Sequence, residues 1–566
     1  MSSELFYSEI ESQVPAEMMF GKFIRTLDGS GIIEKISVAD NGSPSDGVKI
    51  FSFADIFGDG HNRISYVGEP VGLALCSDRQ LISDISFRFD LREDDSEKKF
   101  VPKSKSRTNI TAENEAEFRN LLASSSVMEE TWTSTISSIS CKETEGAAAY
   151  FSADNLTVFT PLKNTQNISD SIQKITGVEK DKINFVKTVS HDKNTNSIYY
   201  CELSAVLAAF AAMKTEKAVM ISMSREEQEQ FVENTLTVKT KIKTVFNEEN
   251  SMLAAEIKVS AYMGSFCAFS DKFIEEALKK SLGLYSPKLY SVSAEACFSD
   301  SCPKAIDFSM LDAQLFFGIE CQMNKTADIV GCSPKTLKLS NIFLDSAEKN
   351  NLSISKDKIT EGMRKICGIL DECVKIKIEE FEENDLTKCE EMIVSDFDFS
   401  PSVFDRKWSS YRLTNKKKSL LYKDSNLRGT GLSFCFKESN SENFSGTAFA
   451  FCTIEVEINP LTYKEEITEI RLFVNGGKLL NQELAVSTVK ATVQRMVKIM
   501  MNDSHANCEN ITIRFLKSNE EAKKIGDLVH SVLPAAFVSA LSQALDFTLT
   551  DFPIGRGKIF EVLEEK

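Results

Sequence analysis

The sequence predicts an α+β fold, because strand-like and helix-like segments follow one another in mixed order rather than as a regular strand–helix–strand array. Residues 291–298 alternate small or apolar residues at the two-residue period of a strand. From Asp307 to Met323, apolar residues recur at the period of a helix. The chain has 566 residues, which is long enough for several domains, each with its own core.

The composition indicates a soluble globular protein and disfavours several kinds of partner. Hydrophobic residues make up 42% of the chain and charged residues 26%, which is ordinary for globular domains. The formal net charge of −17 argues against binding to nucleic acid or to an anionic membrane surface. Residues 1–20 carry no signal-peptide pattern, and we find no apolar stretch of the length that a membrane span needs.

The cysteines favour a reducing compartment. The 14 cysteines include no Cys-x-x-Cys pair, so zinc or iron–sulfur ligation is not indicated. We therefore expect free thiols, no metal site and a cytoplasmic location.

The N-terminal region is predicted to form short strands. Residues 32–38, 48–53 and 64–76 are rich in β-branched and aromatic residues, and an Asn-Gly-Ser-Pro turn at 41–44 separates the first two segments. The following residues, 92–123, are charged and polar, and we interpret them as a solvated linker.

The rest of the chain mixes both kinds of element. Further strands are predicted at residues 156–160, 253–263, 447–458 and 467–474, the last two as a hairpin. Further helices are predicted at residues 203–213, 359–382, 486–501 and 529–545. We interpret residues 397–426 as irregular and locally basic.

Several short blocks occur in an order that is similar to one known family. Residues 66–74 read Tyr-Val-Gly-Glu-Pro-Val-Gly-Leu-Ala, and residues 224–227 read Ser-Arg-Glu-Glu. Residues 456–460 read Val-Glu-Ile-Asn-Pro, and residues 475–481 read Asn-Gly-Gly-Lys-Leu-Leu-Asn. Collinear blocks over most of the chain resemble the large, molybdopterin-binding subunit of the xanthine dehydrogenase and aldehyde oxidase family.

The resemblance implies four parts of the chain. Residues 15–91 would form a small hammerhead-like α/β domain, and residues 92–128 a charged linker. Residues 129–345 would form a first molybdopterin-binding-like domain of mixed sheet and helix, and residues 346–566 a second, shortened one. The family hydroxylates heterocycles or aldehydes at molybdenum held by a pterin, with a glutamate as base. Its implied partners are iron–sulfur and flavin subunits or an intact molybdopterin-binding subunit.

The first cofactor cradle of the family is rewritten in this chain. Glycine-rich loops hold the cofactor phosphates in the family, because glycine lets main-chain N–H groups approach an anion closely. The block Gly-Gly-x-Phe-Gly-Gly-Lys corresponds by ungapped counting to residues 191–197, which contain no glycine. We interpret His191 as a surface or turn residue.

The second cradle has also changed. The family block Gly-Ala-Phe-Arg-Gly-Phe-Gly-Ala-Pro-Gln corresponds to residues 305–314, where Phe308 replaces the arginine and only Gln314 matches. The loss of arginine removes a forked donor for anionic oxygens. We interpret Phe308 and Met310 as core residues, and Gln314 as a candidate cofactor-binding residue.

Two further departures concern the second half of the chain. A long cofactor-binding segment is missing between residues 428–432 and 454–456. The family block Gly-x-Gly-Glu-Pro-Pro, which holds the base, is replaced by residues 524–529. Gly526 remains as a candidate cradle glycine, and Asp527 is a carboxylate one methylene shorter than glutamate. We interpret Asp527 as a weakened base or as the N-cap of the next helix.

Two functional hypotheses follow from these departures. The first is a degenerate, non-catalytic subunit that binds no cofactor and acts as a structural or interaction partner in a hydroxylase complex. The alternative is an active molybdenum hydroxylase subunit that oxidises a purine or an aldehyde.

Overall fold

The computed structural model describes most of the chain. It covers residues 17–39, 47–58, 60–94, 100–136, 144–188, 194–342, 379–381, 403–421, 426–441, 444–516 and 520–565. The predicted helix at 359–382 lies outside these residues except for Glu379–Phe381, which form a strand instead of a last helical turn.

The elements follow the mixed order that the sequence predicts. The strands are β1 Met18–Arg25, β2 Gly31–Val38, β3 Lys49–Ser52, β4 Arg63–Ile64, β5 Pro70–Cys76, β6 Phe87–Arg92, β7 Lys103–Thr108, β8 Met128–Thr135, β9 Gly146–Ser152, β10 Asn155–Thr160, β11 Ile183–Lys187, β12 Ala218–Ser222, β13 Thr237–Phe246, β14 Met252–Tyr262, β15 Leu289–Cys297, β16 Glu379–Phe381, β17 Leu427–Ser441, β18 Phe444–Asn459, β19 Lys464–Asn475, β20 Ile511–Leu516 and β21 Asp551–Phe552. The helices are α1 Phe53–Phe57, α2 Arg79–Asp84, α3 Glu115–Leu122, α4 Gln166–Thr176, α5 Thr195–Thr215, α6 Arg225–Glu227, α7 Ser270–Lys280, α8 Leu311–Val330, α9 Pro334–Asn341, α10 Val403–Leu421, α11 Gln482–Met500, α12 Gly526–Leu545 and α13 Arg556–Glu564.

The first sheet joins the N-terminal region to the middle of the chain. Its strand order is β11-β10-β9-β12-β1-β5-β3, with β1 parallel to β12. The alanine-rich helix α5 is buried against it, because small side chains such as Ala208 let a helix lie close to a strand that also carries alanines at 147–149. A separate small sheet, β4-β2-β6, is built from N-terminal residues alone. The division into four domains stays a prediction.

The second sheet corrects the interpretation of residues 92–123 as a solvated linker. Its order is β21-β8-β13-β14-β15-β7, so the predicted linker supplies edge strand β7. An edge strand pairs with a neighbour on one side only, so it can carry many charged residues. One of these, Lys103, donates from Nζ to Asp271 Oδ2 at 2.8 Å. Helix α3 follows, and its Phe118 is buried in a small cluster with Leu289.

The third sheet and its helices form the C-terminal half. The order is β16-β20-β19-β18-β17, and the predicted hairpin is confirmed by the antiparallel pairing of β18 with β19. Residues 403–421, predicted to be irregular, form helix α10 instead. The prediction missed that Phe404 and Trp408, spaced four residues apart, bury one face of this helix.

Helix α12 is the central helix of the C-terminal half. Among the described helices it alone is long and apolar enough to cross a membrane, contrary to our reading of the sequence. However, 89% of that apolar segment is buried inside the protein, as is typical of a core helix. It packs so closely on β17 that a Cβ atom at Gly429 or Gly431 would lie 1.9 or 2.0 Å from a carbonyl oxygen of α12.

Candidate functional site

Helices α8 and α12 begin side by side, and a lysine from β17 lies between their first turns. Lys437 Nζ is 2.8 Å from Asp527 Oδ2 on α12 and 3.6 Å from Asp312 Oδ2 on α8. The side chain of Lys437 is only 16% exposed and that of Asp312 only 4%. A lysine therefore bridges two carboxylates at the position that the family resemblance assigns to the catalytic base.

The bridge belongs to a larger group of alternating charges, which we call the Lys437 cluster. It contains three acidic residues and three lysines: Glu276, Asp312, Asp527, Lys280, Lys437 and Lys524. Lys280 Nζ lies 2.5 Å from Asp312 Oδ1 and 2.6 Å from Glu276 Oε2. Lys524 Nζ lies 3.2 Å from Asp527 Oδ2. Because the cluster contains equal numbers of positive and negative side chains, its net charge is zero.

The pKa shifts in the Lys437 cluster favour the charged forms. Burial alone raises the pKa of Asp527, but the ammonium groups of Lys437 and Lys524 together outweigh burial and hold that pKa below its usual value. Burial alone lowers the pKa of Lys280, but Asp312 and Glu276 together raise it. Asp527 is consequently held in its ionised form by an ion pair, and this makes it a weaker proton acceptor.

The structure corrects our interpretation of Asp527 as a helix cap. Ile525 is the N-cap of α12 and makes no side-chain capping hydrogen bond, whereas Asp527 lies inside the first turn. An acidic side chain in that turn is favourable because the helix N-terminus carries partial positive charge. At Gly526, an added Cβ would have no neighbour within 4 Å, so close packing does not require a glycine there.

Gln314 lies in the core, where its amide group donates hydrogen bonds to two backbone carbonyls. It is 3% exposed, and its Nε2 donates to the carbonyls of Ser134 at 3.0 Å and Leu236 at 2.9 Å. These bonds engage both amide hydrogens in structural contacts. Phe308 packs against Phe269, with ring centroids 5.8 Å apart.

Met310 is fully buried, and Phe308 packs partly buried on the same core. The interpretation as a core residue is confirmed for Met310, whereas Phe308 is only partly buried and packs against the core.

The described part of the first cradle bonds directly to the second cradle. Residues 191–193, with His191, lie outside the described residues, and Asn194 caps α5 by accepting from Ser197 N at 2.8 Å. Thr195 N donates to Ile306 O at 3.0 Å, and Ile306 N donates to Thr195 Oγ1 at 2.9 Å. In the described part of the two cradles, the backbone N–H groups of Thr195, Ser197 and Ile306 thus donate within the protein.

A carboxylate of the chain itself lies at the start of α5. Glu145 is 1% exposed, and it accepts hydrogen bonds from Ser197 Oγ and from Cys201 Sγ, the latter at 2.7 Å. Asn196 Nδ2 donates to the carbonyls of Phe231 and Pro303, both at 3.0 Å. The first turns of α5 are therefore occupied by the side chains and carbonyls of this chain.

Sequence reasoning missed Lys437, Asp312 and Glu145 as parts of this region. Lys437 and Asp527 are 90 positions apart, and no local pattern brings them together. One signal was available: Asp312 lies inside the rewritten second cradle, at a position where the family has a small residue. Among the described residues, no group of three or more His, Cys, Asp or Glu side chains is placed to hold a metal ion.

Comparison with protein-family models identifies one domain in this region of the chain. Residues 196–342 match the model of the molybdopterin cofactor-binding domain. This segment contains β13–β15, α8 and all but the first residue of α5, and it includes the whole second cradle but only residues 196–197 of the first. This segment of the chain is therefore similar to a molybdopterin cofactor-binding domain.

Solved structures with the same fold cover nearly the whole chain. Aldehyde oxidoreductase from Desulfovibrio gigas has a TM-score of 0.72 at 12% identity, over 98% of this chain and 78% of that chain. Quinoline 2-oxidoreductase from Pseudomonas putida 86 has a TM-score of 0.71 at 13% identity, over 100% and 98%. CO dehydrogenase from Oligotropha carboxidovorans has a TM-score of 0.71 at 9% identity, over 99% and 96%. The α+β prediction and the resemblance to a molybdopterin-binding subunit are confirmed.

The sequence itself has diverged much further than the fold. No curated protein matches this chain by sequence at a significant level. The similarities to solved structures, at 9 to 13% identity, establish the fold alone.

Proposed function

We propose that this chain is a non-catalytic subunit that keeps the shell of a molybdenum hydroxylase and serves a structural or interaction role. The single observation that carries the proposal is the Lys437 cluster. A lysine that neutralises Asp312 and Asp527 takes the place where the family needs a free carboxylate base.

The residues of the two cradles do not fit a molybdopterin dinucleotide. A multiply charged anion needs backbone N–H groups that are free and unobstructed. Here the N–H groups of Thr195 and Ile306 donate to acceptors within the chain. The buried Glu145 carboxylate at the start of α5 would repel a phosphate. Phe308, in the place of the family arginine, supplies no donor. We therefore derive no reaction step through this cofactor.

The proposed partners are the other subunits of a hydroxylase complex. Iron–sulfur and flavin subunits, or an intact molybdopterin-binding subunit, are the candidates that the family resemblance implies. The 14 cysteines, which lack metal-ligand spacing, support a cytoplasmic location as part of the same proposal.

Metal analysis of the protein from its native host tests the proposal. We expect a folded protein with no stoichiometric molybdenum or pterin, recovered together with hydroxylase subunits. An intact molybdopterin-binding subunit purified in parallel shows that the host makes and inserts the cofactor.

The alternative, an active hydroxylase subunit, is favoured by one observation: a carboxylate, Asp527, is retained in a chain whose residues 196–342 match the cofactor-binding domain. Molybdenum in a one-to-one ratio with the chain, together with a hydroxylase activity that an Asp527→Asn variant loses, would establish this alternative and overturn the proposal.

A further inference from the structure

The Glu145 carboxylate lies beside the first two turns of α5. Its oxygens accept hydrogen bonds from the side chain of Ser197, the third residue of that helix, and from the side chain of Cys201, one turn further on. Glu145 is only 1% exposed, and a carboxylate buried to this degree is costly unless donors and a favourable field stabilise its charge. The first turns of α5, a helix of 21 residues, supply both, because a helix N-terminus carries partial positive charge.

The backbone around Glu145 holds the side chain in this place. Glu145 N donates to Gln228 Oε1 at 3.1 Å, and Met223 N donates to Glu145 O at 2.9 Å. The next residue, Gly146, packs so closely on β12 that a Cβ atom there would lie 2.5 Å from Ile221 O. Because the main chain is fixed before the side chain branches off, the carboxylate is preorganised at the start of α5.

Two asparagines at the start of α5 bond to other segments of the chain. Asn194 caps the helix through Oδ1 and donates from Nδ2 to Val232 O at 3.1 Å. Asn196 Nδ2 donates to Phe231 O and to Pro303 O, both at 3.0 Å. The described part of the first cradle is therefore a polar junction that the protein itself closes, and the anion in this junction is a side chain of the chain.

We propose that Glu145 is an internal anion that occupies the positive end of α5 and keeps an external anion from binding there. The inference rests on the proposed non-catalytic function and deepens it, since a helix start that holds its own carboxylate does not require a cofactor phosphate. The carboxylate repels a second anion, and it takes the hydroxyl and thiol donors that such a ligand would use. The start of α5 is therefore stable without a bound anion.

Chemical rescue of Glu145→Ala tests this assignment, because acetate has the same carboxylate and adjoining carbon that the substitution removes. The full-length variant is unfolded by heat at neutral pH in sodium acetate, in sodium chloride of equal concentration and in acetamide, which has a similar shape and no charge. We expect acetate to raise the midpoint of thermal unfolding of Glu145→Ala by on the order of 2 °C relative to the other two solutes. The native protein, in which Glu145 fills the place, should show no such difference.

Two further variants complete the test. Glu145→Gln preserves the size of the side chain and removes its charge, so we expect it to unfold at a lower temperature than the native protein and to gain nothing specific from acetate. Glu202→Ala is the matched control, since Glu202 is a partly buried carboxylate on the same helix that bonds Asn167 instead, and it should show no acetate-specific rise.

Either of two results would overturn the role of Glu145. One is a folded Glu145→Ala variant that responds equally to acetate, chloride and acetamide. The other is a Glu145→Gln variant with the unfolding midpoint of the native protein, and this result is decisive even if Glu145→Ala does not fold. Both are separate from a failure of the proposed function, which stoichiometric molybdenum in the native protein would show whatever the effect of acetate.

Discussion

At the scale of single residues, Lys437 decides the character of the candidate site. Its ammonium group lies between two carboxylates that would otherwise repel each other at the starts of α8 and α12. The side chain is mostly buried, so the pairing is less screened by water than a surface ion pair. The same three residues that remove a free base thus stabilise the junction of two helices.

We expect Lys437→Met to destabilise the protein strongly. The change leaves Asp312 and Asp527 with less compensation, and loss of one partner in a buried ion pair costs about 3 kcal/mol or more. Chemical denaturation at pH 7 measures the change in the free energy of unfolding. Lys524→Met is the control at the exposed end of the cluster, where the side chain is 57% exposed and the cost is less than about 1 kcal/mol. Equal effects of the two changes would contradict this account of the cluster.

The stability contributed by Asp527 should depend on pH in a defined direction. Its pKa is lowered by folding, so ionised Asp527 stabilises the protein fully above its ordinary value of 3.8. This contribution is lost as the pH falls through the lower pKa of the folded state. The free energy of unfolding of the native protein minus that of Asp527→Asn should therefore be largest near neutral pH and shrink below pH 3.8. A difference that does not vary with pH would show that the charge of Asp527 contributes nothing.

At the scale of elements, the packing of α12 on β17 explains the Arg-Gly-Thr-Gly sequence at residues 428–431. The structure gives the two glycines, Gly429 and Gly431, a packing role. A side chain at either glycine would collide with the backbone of α12 near Ala536 and Ala540. The close approach brings Lys437, on the same strand, to the first turn of α12.

Gly431→Ala should separate α12 from β17. The added Cβ would lie 2.0 Å from Ala536 O, a backbone atom that cannot move without shifting the helix. We expect a loss of about 1–3 kcal/mol in the free energy of unfolding, measured by denaturant titration. Gly526→Ala is the matched control: it meets no atom within 4 Å, and alanine improves helix propensity by up to about 1 kcal/mol. A neutral Gly431→Ala variant would refute the close packing.

At the scale of the whole molecule, a buried ion pair holds the second and third sheets together through α8. Lys338 Nζ donates to Glu320 Oε2 at 2.6 Å and to Leu432 O at 2.7 Å, and Lys338 is fully buried. Glu320 also accepts from Phe434 N at 2.8 Å and from Tyr285 Oη at 2.7 Å. The pair is satisfied on every side, and it connects β17 to helices of the preceding half.

We expect Lys338→Met to cost about 3–5 kcal/mol, because it leaves the Glu320 carboxylate buried without its cation. The double change Glu320→Gln with Lys338→Met should cost clearly less than the sum of the two single changes, since no charge is then buried. Calorimetric and fluorescence unfolding of the four proteins measures this coupling. Additive effects would mean that the two halves are not joined through this pair.

Prediction from the sequence succeeded where a segment carries a local period. The strands around residues 253–263 and 447–474 and the helix at 529–545 were found because alternation and helical spacing are visible within one segment. The prediction failed for β7, because its pairing partner β15 is far away in the chain: Ser291 pairs with Thr108, 183 positions before it. The prediction also failed for α10. The lysines in this segment led us to interpret it as irregular, although two aromatic residues lie on one face of the helix.

The sequence by itself determined the α+β class, the family likeness and the absence of glycine from the two cradles, because each depends on residue types at adjacent positions. Only the tertiary structure decided what replaced those cradles. Thr195 and Ile306 exchange hydrogen bonds, and Lys437 reaches Asp312 and Asp527, across separations that no periodicity encodes. The physical reason is that the energy of an ion pair depends on distance and burial in space, which only the folded chain sets.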